Sequence, residues 1–504
     1  MPIEPELKFQ IAEAKIGSVA DMRIRGARSN IGTVRKLVSV YYDTPKQRLR
    51  RRGLTIRVRE SDGEFCQTVK SSAVGGFARG EWEANVTGAS PSLGDLKQTP
   101  LAGMAKKLKR KLGPVFRTSV DRTTRVLRIG ASEVKLAVDS STIVAGRHRR
   151  PISEFELELK QGRTSDLIRL ARTFERKTGA ELDLRSKSAR GYAVIDNNES
   201  AAVRAEEIVL TKNMTVNESF DVIAFSALRH FTSNAGAVRE LDAEGIHQMR
   251  VGLRRLRAAI SLFGAILPIA GVERIKAELK WLTGELAAAR EIDVFLTEKI
   301  EPLEAADAPK RGVRAIERQF ARRRGAAFER ARHALATSRY RRLPIDVLEW
   351  LEAKKSRSQK IANALTKEFA EEIMLRRLKK LRNEARSLEE LAPPQRHKLR
   401  IKIKKVRYAV DFFRSLYSDS AQSSLDDLSD KLKEAQGALG ALNDFVAHRA
   451  MATHTALRAP RKNRRARAFV SGLAVGQELE SAKVFLQKAA KAIRQLKPRS
   501  VRFS

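Results

Sequence analysis

Glu4-Pro5-Glu6-Leu7-Lys8-Phe9 alternates charged and apolar residues without a break. In a β-strand successive side chains point to opposite faces. One face of this strand therefore carries Glu4, Glu6 and Lys8, and the other carries Pro5, Leu7 and Phe9. Charges in line on one strand are either a wetted edge or the floor of an ionic site. The residues that follow decide between the two. Leu54–Arg59 places Arg57 and Arg59 opposite Ile56 and Val58, and Phe65–Lys70 follows after an Asp62-Gly63 turn. Gly75-Gly76 opens a further turn into Arg79-Gly80-Glu81-Trp82-Glu83. Arg122 and Arg125, then Glu133–Asp139 and Glu154–Lys160, continue the pattern, with helical patches at Leu101–Leu112 and Asp166–Thr178.

The wet face of these strands is almost purely charged. A small closed barrel fills its interior with apolar side chains. Here that would bury unpaired charges at several kcal/mol each. The consistent solution is a tunnel with a charged, hydrated interior and apolar faces packed outward under helices. Both signs of charge in one tunnel suit a phosphate chain. Arg and Lys contact phosphoryl oxygens, and carboxylates fit beside phosphate as ligands of a bridging Mg²⁺ or Mn²⁺.

These residues resemble the CYTH domain of the triphosphate tunnel metalloenzymes over roughly residues 2–196. The resemblance rests on Glu4-x-Glu6-x-Lys8, Arg57-x-Arg59, Lys70, Arg79-x-Glu81-x-Glu83, Arg122, Asp139, Glu154-x-Glu156-x-Glu158 and Ser186-Lys187-x-x-Arg190-Gly191. It implies an eight-stranded antiparallel tunnel and metal-dependent cleavage of triphosphate compounds. It implies that Arg57, Arg59, Lys70, Arg79, Arg122, Lys187 and Arg190 grip phosphate, with Arg125 as the alternative to Arg122. Glu4, Glu6, Glu81, Asp139, Glu154 and Glu156 are the expected metal ligands. Lys8, Glu4, Glu6 and Glu156 are the expected catalytic groups. Pro5 cannot donate a ladder hydrogen bond, so it is expected at an edge or an irregularity.

From about residue 206 the chain reads as amphipathic helix, with Asn217 the expected cap of a helix from Glu218 onward. This part contains an internal repeat. His247-Gln-Met-Arg250-Val-Gly-Leu-Arg254-Arg255-Leu-Arg257 matches His397-Lys-Leu-Arg400-Ile-Lys-Ile-Lys404-Lys405-Val-Arg407. At about 100° per residue, the first, fourth, eighth and eleventh positions share an arc of roughly 80°. Met249, Leu253, Leu256, Ile260 and Phe263 lie opposite, as do Leu399, Ile403, Val406, Val410 and Phe413. Leu286–Glu291, with Arg290, matches Leu439–Asp444. Like charges at helical spacing repel unless a polyanion offsets them, and a twofold relation between the repeats would join the stripes into one basic surface. These motifs resemble the CHAD domain over about residues 215–500. That resemblance implies binding of inorganic polyphosphate by His247, Arg250, Arg254, Arg255, Arg257, Arg290, His397, Arg400, Lys404, Lys405 and Arg407. The basic run from Arg458 to Arg467 reads as a surface loop.

The expected fold is therefore α+β. Residues 1–200 form the tunnel and 201–216 a linker. Residues 217–504 form an all-α bundle of two pseudo-symmetric repeats, approximately 217–340 and 345–500. Lys and Arg number 99 against 59 acidic residues, a formal +40, which implies polyanionic partners. Residues 1–200 hold 39 basic and 23 acidic residues, so both parts share the excess. Aromatics at 6% argue against a single-strand reader built on base stacking. Cys66 is the only cysteine, which excludes an internal disulfide and fits a reducing compartment. With no signal-peptide pattern and no apolar run long enough to span a bilayer, the expected location is the cytoplasm, in association with polyphosphate granules. The expected activity is hydrolysis of inorganic triphosphate. The alternatives are a thiamine-triphosphatase or adenylate cyclase in the same tunnel, or a non-catalytic binder of polyphosphate or, non-specifically, nucleic acid.

Overall fold

The computed structural model describes all residues except 1–4, 72–79, 109–110, 199, 306–307, 354–356, 458–462 and 497–504. Glu4, the Gly75-Gly76 turn, Arg79 and the first half of the 458–467 run lie outside the described residues. The fold is α+β, an antiparallel sheet followed by a helical region. It divides into two compact units. One holds residues 1–204, 228–249 and 334–354, and the other 205–227, 250–333 and 355–504.

Ten strands form the sheet: β1 (Glu6–Gln10), β2 (Arg28–Ser29), β3 (Thr33–Asp43), β4 (Leu54–Ser61), β5 (Glu64–Ser71), β6 (Glu81–Val86), β7 (Gly113–Ile129), β8 (Ser132–Ala145), β9 (His148–Gln161) and β10 (Glu181–Leu182). Their order is β10-β1-β9-β8-β7-β3-β4-β5-β6, with β2 paired to β7. The expected count of eight is corrected to ten. The two additions, β2 and β10, have two residues each, too short for a period-2 pattern to register in sequence. Among the described residues no ladder joins β6 back to β1.

Asp62 and Gly63 both take positive φ, 53° and 81°, between the paired Ser61 and Glu64. That is the backbone of a tight hairpin turn matched to strand twist. Pro5 behaves as its chemistry requires. Its carbonyl accepts from the Leu159 N–H at 2.9 Å, but it has no N–H to return the bond, and β1 starts at Glu6.

Register places the charged residues on one face. Lys8 lies opposite Glu156, Asp139 between Glu154 and Arg122, Arg57 opposite Thr68, and Lys70 opposite Glu81. Directly opposed residues share a face, so one surface gathers both signs. The other face is apolar. Phe9 stacks on Phe155 at 5.0 Å, and Phe155 meets Phe174 at 5.1 Å. Phe174 belongs to helix α1 (Thr164–Thr178), which covers this face. Ile56, Val58 and Val69 form a second cluster with Leu96, Leu101 and Leu108. Helix α2 (Lys187–Ile195) is capped by Ser186, whose side chain accepts from the Ala189 N–H.

In the helical region the expected cap at Asn217 is displaced. The helix starts at Val216, and Thr215 pairs reciprocally with Glu218. Thr-x-x-Glu is a capping box, which satisfies two orphan donors where Asn217 offers one acceptor. The first repeat motif lies on α3 (Ala243–Leu262), and Arg290 on α4 (Ala287–Phe295). The second repeat motif lies on α5 (Pro393–Phe413), and Asp444 on α6 (Asp419–Leu457). All ten expected core positions of the two motifs are buried, and the Phe263 and Phe413 rings meet at 5.9 Å. Among the described residues no helix is long and apolar enough to cross a membrane.

Candidate active site and basic helical face

Three carboxylates converge on the charged face of the sheet. Asp139, Glu154 and Glu156 each offer an oxygen within 4.8 Å of the others. β8 supplies the first and β9 the other two, two residues apart and so on one face. Asp139 and Glu154 are completely buried. Burial alone would push such groups toward the neutral acid. Here burial raises the Asp139 pKa, but Lys187 and the Arg122 hydrogen bonds outweigh it and hold it below the ordinary range. For Glu156, burial is likewise overcome by Lys187, Arg122, Lys8 and Lys70, leaving it well below the usual value.

The partners are specific. Arg122 donates to both Asp139 oxygens through Nε and Nη2 at 2.6 Å, and Nη2 also reaches Glu156 at 3.0 Å. Lys187 Nζ lies 2.5 Å from Asp139, 2.8 Å from Glu154 and 3.3 Å from Glu156. Arg190 Nη1 is 3.0 Å from Glu154, and its Nη2 donates to Asp183 at 2.5 Å. Among the described residues, neither Glu154 oxygen nonetheless has an aligned hydrogen-bond donor. A fully buried carboxylate with ion-pair neighbours but no aligned donor is suited to a hard cation, which binds oxygen without directional N–H geometry. The donor set fits Mg²⁺ or Mn²⁺.

The opposite wall is basic. Arg57 is buried, and Lys70 pairs with Glu81 at 2.8 Å. Arg59 is pushed down to about 10 by burial, Arg57 and Arg122. Lys70 is lowered by burial and by Arg57, against Glu81 and Glu6. Among the described residues the Arg57 and Arg59 Nε atoms are buried without a hydrogen-bond partner. Cations held this close suit a phosphate chain.

Of the residues marked in the sequence, Lys8, Arg57, Arg59, Lys70, Arg122, Asp139, Glu154, Glu156, Lys187 and Arg190 are brought together. Glu6 stands outside the carboxylate trio, although its charge acts on Lys70 and Arg122. Glu81 also stands outside it, bound to Lys70 and 3.8 Å from Arg57. Arg125, three residues from Arg122 and so on the other face, donates to the Ala20 carbonyl at 2.5 Å and to Ser29 Oγ. Asp183 was not marked. It is buried, binds Arg185 and Arg190, and its pKa is lowered because those arginines overcome desolvation. It lies just past the two-residue strand Glu181–Leu182, two positions after Glu181, and that spacing was the available signal.

On the helical face, burial, Arg254 and Arg290 bring Arg250 down to about 10, with Glu291 opposing. Lys404 falls to about 7 through burial, Arg400 and Arg254, with Asp444 opposing and Arg407 adding to the fall. Arg254 of α3 thus lowers both Arg400 and Lys404 of α5. Other marked residues sit elsewhere. Lys405 is lowered by burial, Arg377, Arg257, Lys276 and Lys402, a separate cationic group. Arg255 is buried with its guanidinium 5.4 Å from the Phe412 ring centroid. His397 Nδ1 bonds Asn443 at 2.5 Å, while His247 lies one turn before Arg250 on α3. Asp293 and Arg324, absent from the motifs, join this region; Asp293 accepts from Arg324 at 2.9 Å and from Arg290 at 3.4 Å.

Comparison with known proteins accords with both halves. The CYTH domain family model matches residues 2–192 and the CHAD domain model residues 223–453. An inorganic triphosphatase of Haemophilus influenzae is 30% identical over 166 residues, covering 31% of this chain and 45% of that protein. The chain thus matches less than half the length of this curated relative. The crystal structure of the CHAD domain from the plant Ricinus communis aligns with TM-score 0.50 and 27% identity, over 59% of this chain and 98% of that one. PptA from Streptomyces chartreusis aligns with TM-score 0.45 and 19% identity, over 56% of this chain and all of that one. The chain is accordingly a CYTH–CHAD protein, with a CYTH domain over residues 2–192 followed by a CHAD domain over residues 223–453.

Proposed function

We propose that the charged face of the sheet hydrolyses inorganic triphosphate to diphosphate and phosphate with Mg²⁺ or Mn²⁺. The observation that carries this reading is the trio of Asp139, Glu154 and Glu156 within 4.8 Å of one another, facing a basic wall. The similarity to an inorganic triphosphatase supports the substrate class. Asp139, Glu154 and Glu156 would hold the metal, which would neutralise phosphoryl charge and lower the pKa of a water. Arg57, Arg59, Lys70 and Arg122 grip the phosphate chain, Arg in a bidentate fork. Hydrolysis then needs in-line positioning and an oriented water. Glu156 orients that water, Lys8 across the ladder fixes Glu156, and Glu6 extends the same wall.

The CHAD domain binds polyphosphate along the face shared by α3 and α5, the two motifs forming a pseudo-symmetric pair. This reading rests on the crowding of Arg250, Arg254, Arg400 and Lys404. It leads us to expect association with polyphosphate granules. The test of the enzyme is phosphate release from tripolyphosphate with Mg²⁺, alongside thiamine triphosphate and ATP. Tripolyphosphate should be preferred, and Glu156→Gln should lower kcat about a hundredfold or more. Turnover at the wild-type rate in that variant would refute the assignment.

A further inference from the structure

Lys187 occupies the point on which the three carboxylates converge. Its Nζ contacts all of them, at 2.5, 2.8 and 3.3 Å. A divalent ion bound by the same oxygens sits about 2.0–2.6 Å from each. The ammonium and the ion therefore claim the same space and cannot hold the trio together. We propose that Lys187 is an internal counter-ion that fills the metal position until the metal arrives, and that metal entry expels its ammonium toward the phosphate chain. The inference rests on the metal reading given above.

Three features favour a group that leaves. Lys187 is the first residue of α2, where the positive end of the helix dipole disfavours a cation. Arg122 repels its charge within the pocket, although the three carboxylates outweigh that repulsion and burial and keep the amine protonated. Its four-carbon stem reorients a compact point charge without moving the backbone. Arg122 and Arg190 differ from it in being forked. Arg122 is fixed on Asp139 by two hydrogen bonds, and Arg190 is anchored at its other end by Asp183. Among the described residues Lys187 has no such anchor outside the trio. The exchange makes metal binding and phosphate capture mutually reinforcing, because the expelled ammonium gains a new anion only when substrate is present.

The test is Mn²⁺ binding, followed by the electron spin resonance of the free ion, to the full-length protein. Lys187→Met removes the competitor and should tighten Mn²⁺ binding about tenfold or more. Its thermal unfolding should become dependent on Mn²⁺, with a lower Tm in chelator than the wild type. Lys187→Arg keeps the charge and should not tighten binding. If the Met variant fails to fold, the wild type decides the matter. Acylation of the Lys187 amine, mapped by mass spectrometry, should rise at saturating Mn²⁺. Unchanged acylation overturns the proposal. Mn²⁺ binding lost in Glu154→Gln but unchanged in Lys187→Met overturns it too, while leaving the metal site standing. Binding indifferent to both substitutions overturns the metal site itself.

Discussion

At the residue scale, Gly191 ties the sheet to helix α2. A Cβ on Gly191 would lie 2.2 Å from the Phe116 ring. That ring is fixed, stacked on Tyr41 at 4.3 Å and edge-on to Tyr192 at 5.6 Å. Gly191→Ala must therefore push α2 off the sheet, at a cost of about 1–3 kcal/mol. Lys187 and Arg190 travel with the helix. Thermal unfolding should show a lowered Tm and tripolyphosphate assays a lower kcat/KM. An unchanged Tm would mean that the ring yields. Arg57 offers a second residue-scale prediction. It lies on the basic wall away from the carboxylates, so Arg57→Ala should act mainly on substrate capture. Steady-state assays should show kcat/KM falling more than kcat.

At the element scale, α3 and α5 carry the titrating group of the CHAD domain. In the unfolded chain Lys404 keeps its proton up to about its ordinary 10.5; folded, burial with Arg400 and Arg254 leaves it a proton only below about 7. The unfolded state thus binds more protons between those values, and stability rises with pH across the window. The contribution of Lys404 is complete above its unfolded pKa and lost as pH falls toward 7. A bound polyanion reverses the balance by favouring the ammonium. Polyphosphate binding should then take up a proton, and affinity should weaken as pH rises from about 7 to about 9. Calorimetry in buffers of different ionisation heat measures that uptake. Lys404→Met should abolish most of it, and persistence of the full uptake would assign it to another group. The crowded cations of this face make the prediction sharp, since Arg400, Arg254 and Arg407 act on Lys404 against Asp444.

At the scale of the whole molecule, the +40 charge acts on any polyanion. Discrimination between polyphosphate and duplex DNA has to come from the fixed cationic clusters. In competition across a salt series, DNA should lose affinity steeply as counter-ion release weakens. Polyphosphate should retain binding at physiological salt. Equal displacement by DNA there would leave only non-specific affinity.

The sequence by itself determined the chemistry and the local geometry. A period of two on charged strands identified Lys8, Arg57, Arg59, Lys70, Asp139, Glu154 and Glu156 as one face, and the register of β1, β4, β5, β8 and β9 agrees. A helical period identified all ten core positions of the two CHAD motifs. Strand and helix faces are short-range properties, dictated by backbone geometry, and are readable from spacing. The tertiary structure decided what spacing cannot carry. It put Arg122 on the charged face and Arg125 on the other, divided the basic stripe so that Lys405 and Arg257 left Lys404, and added β2, β10, Asp183 and Asp293. Among the described residues it also brought Asp139, Glu154 and Glu156 into a trio around Lys187, with Glu6 and Glu81 standing apart. Those choices depend on how strands curl and which helix ends meet them, and a Coulomb interaction that falls as the inverse of distance is settled only when those distances exist.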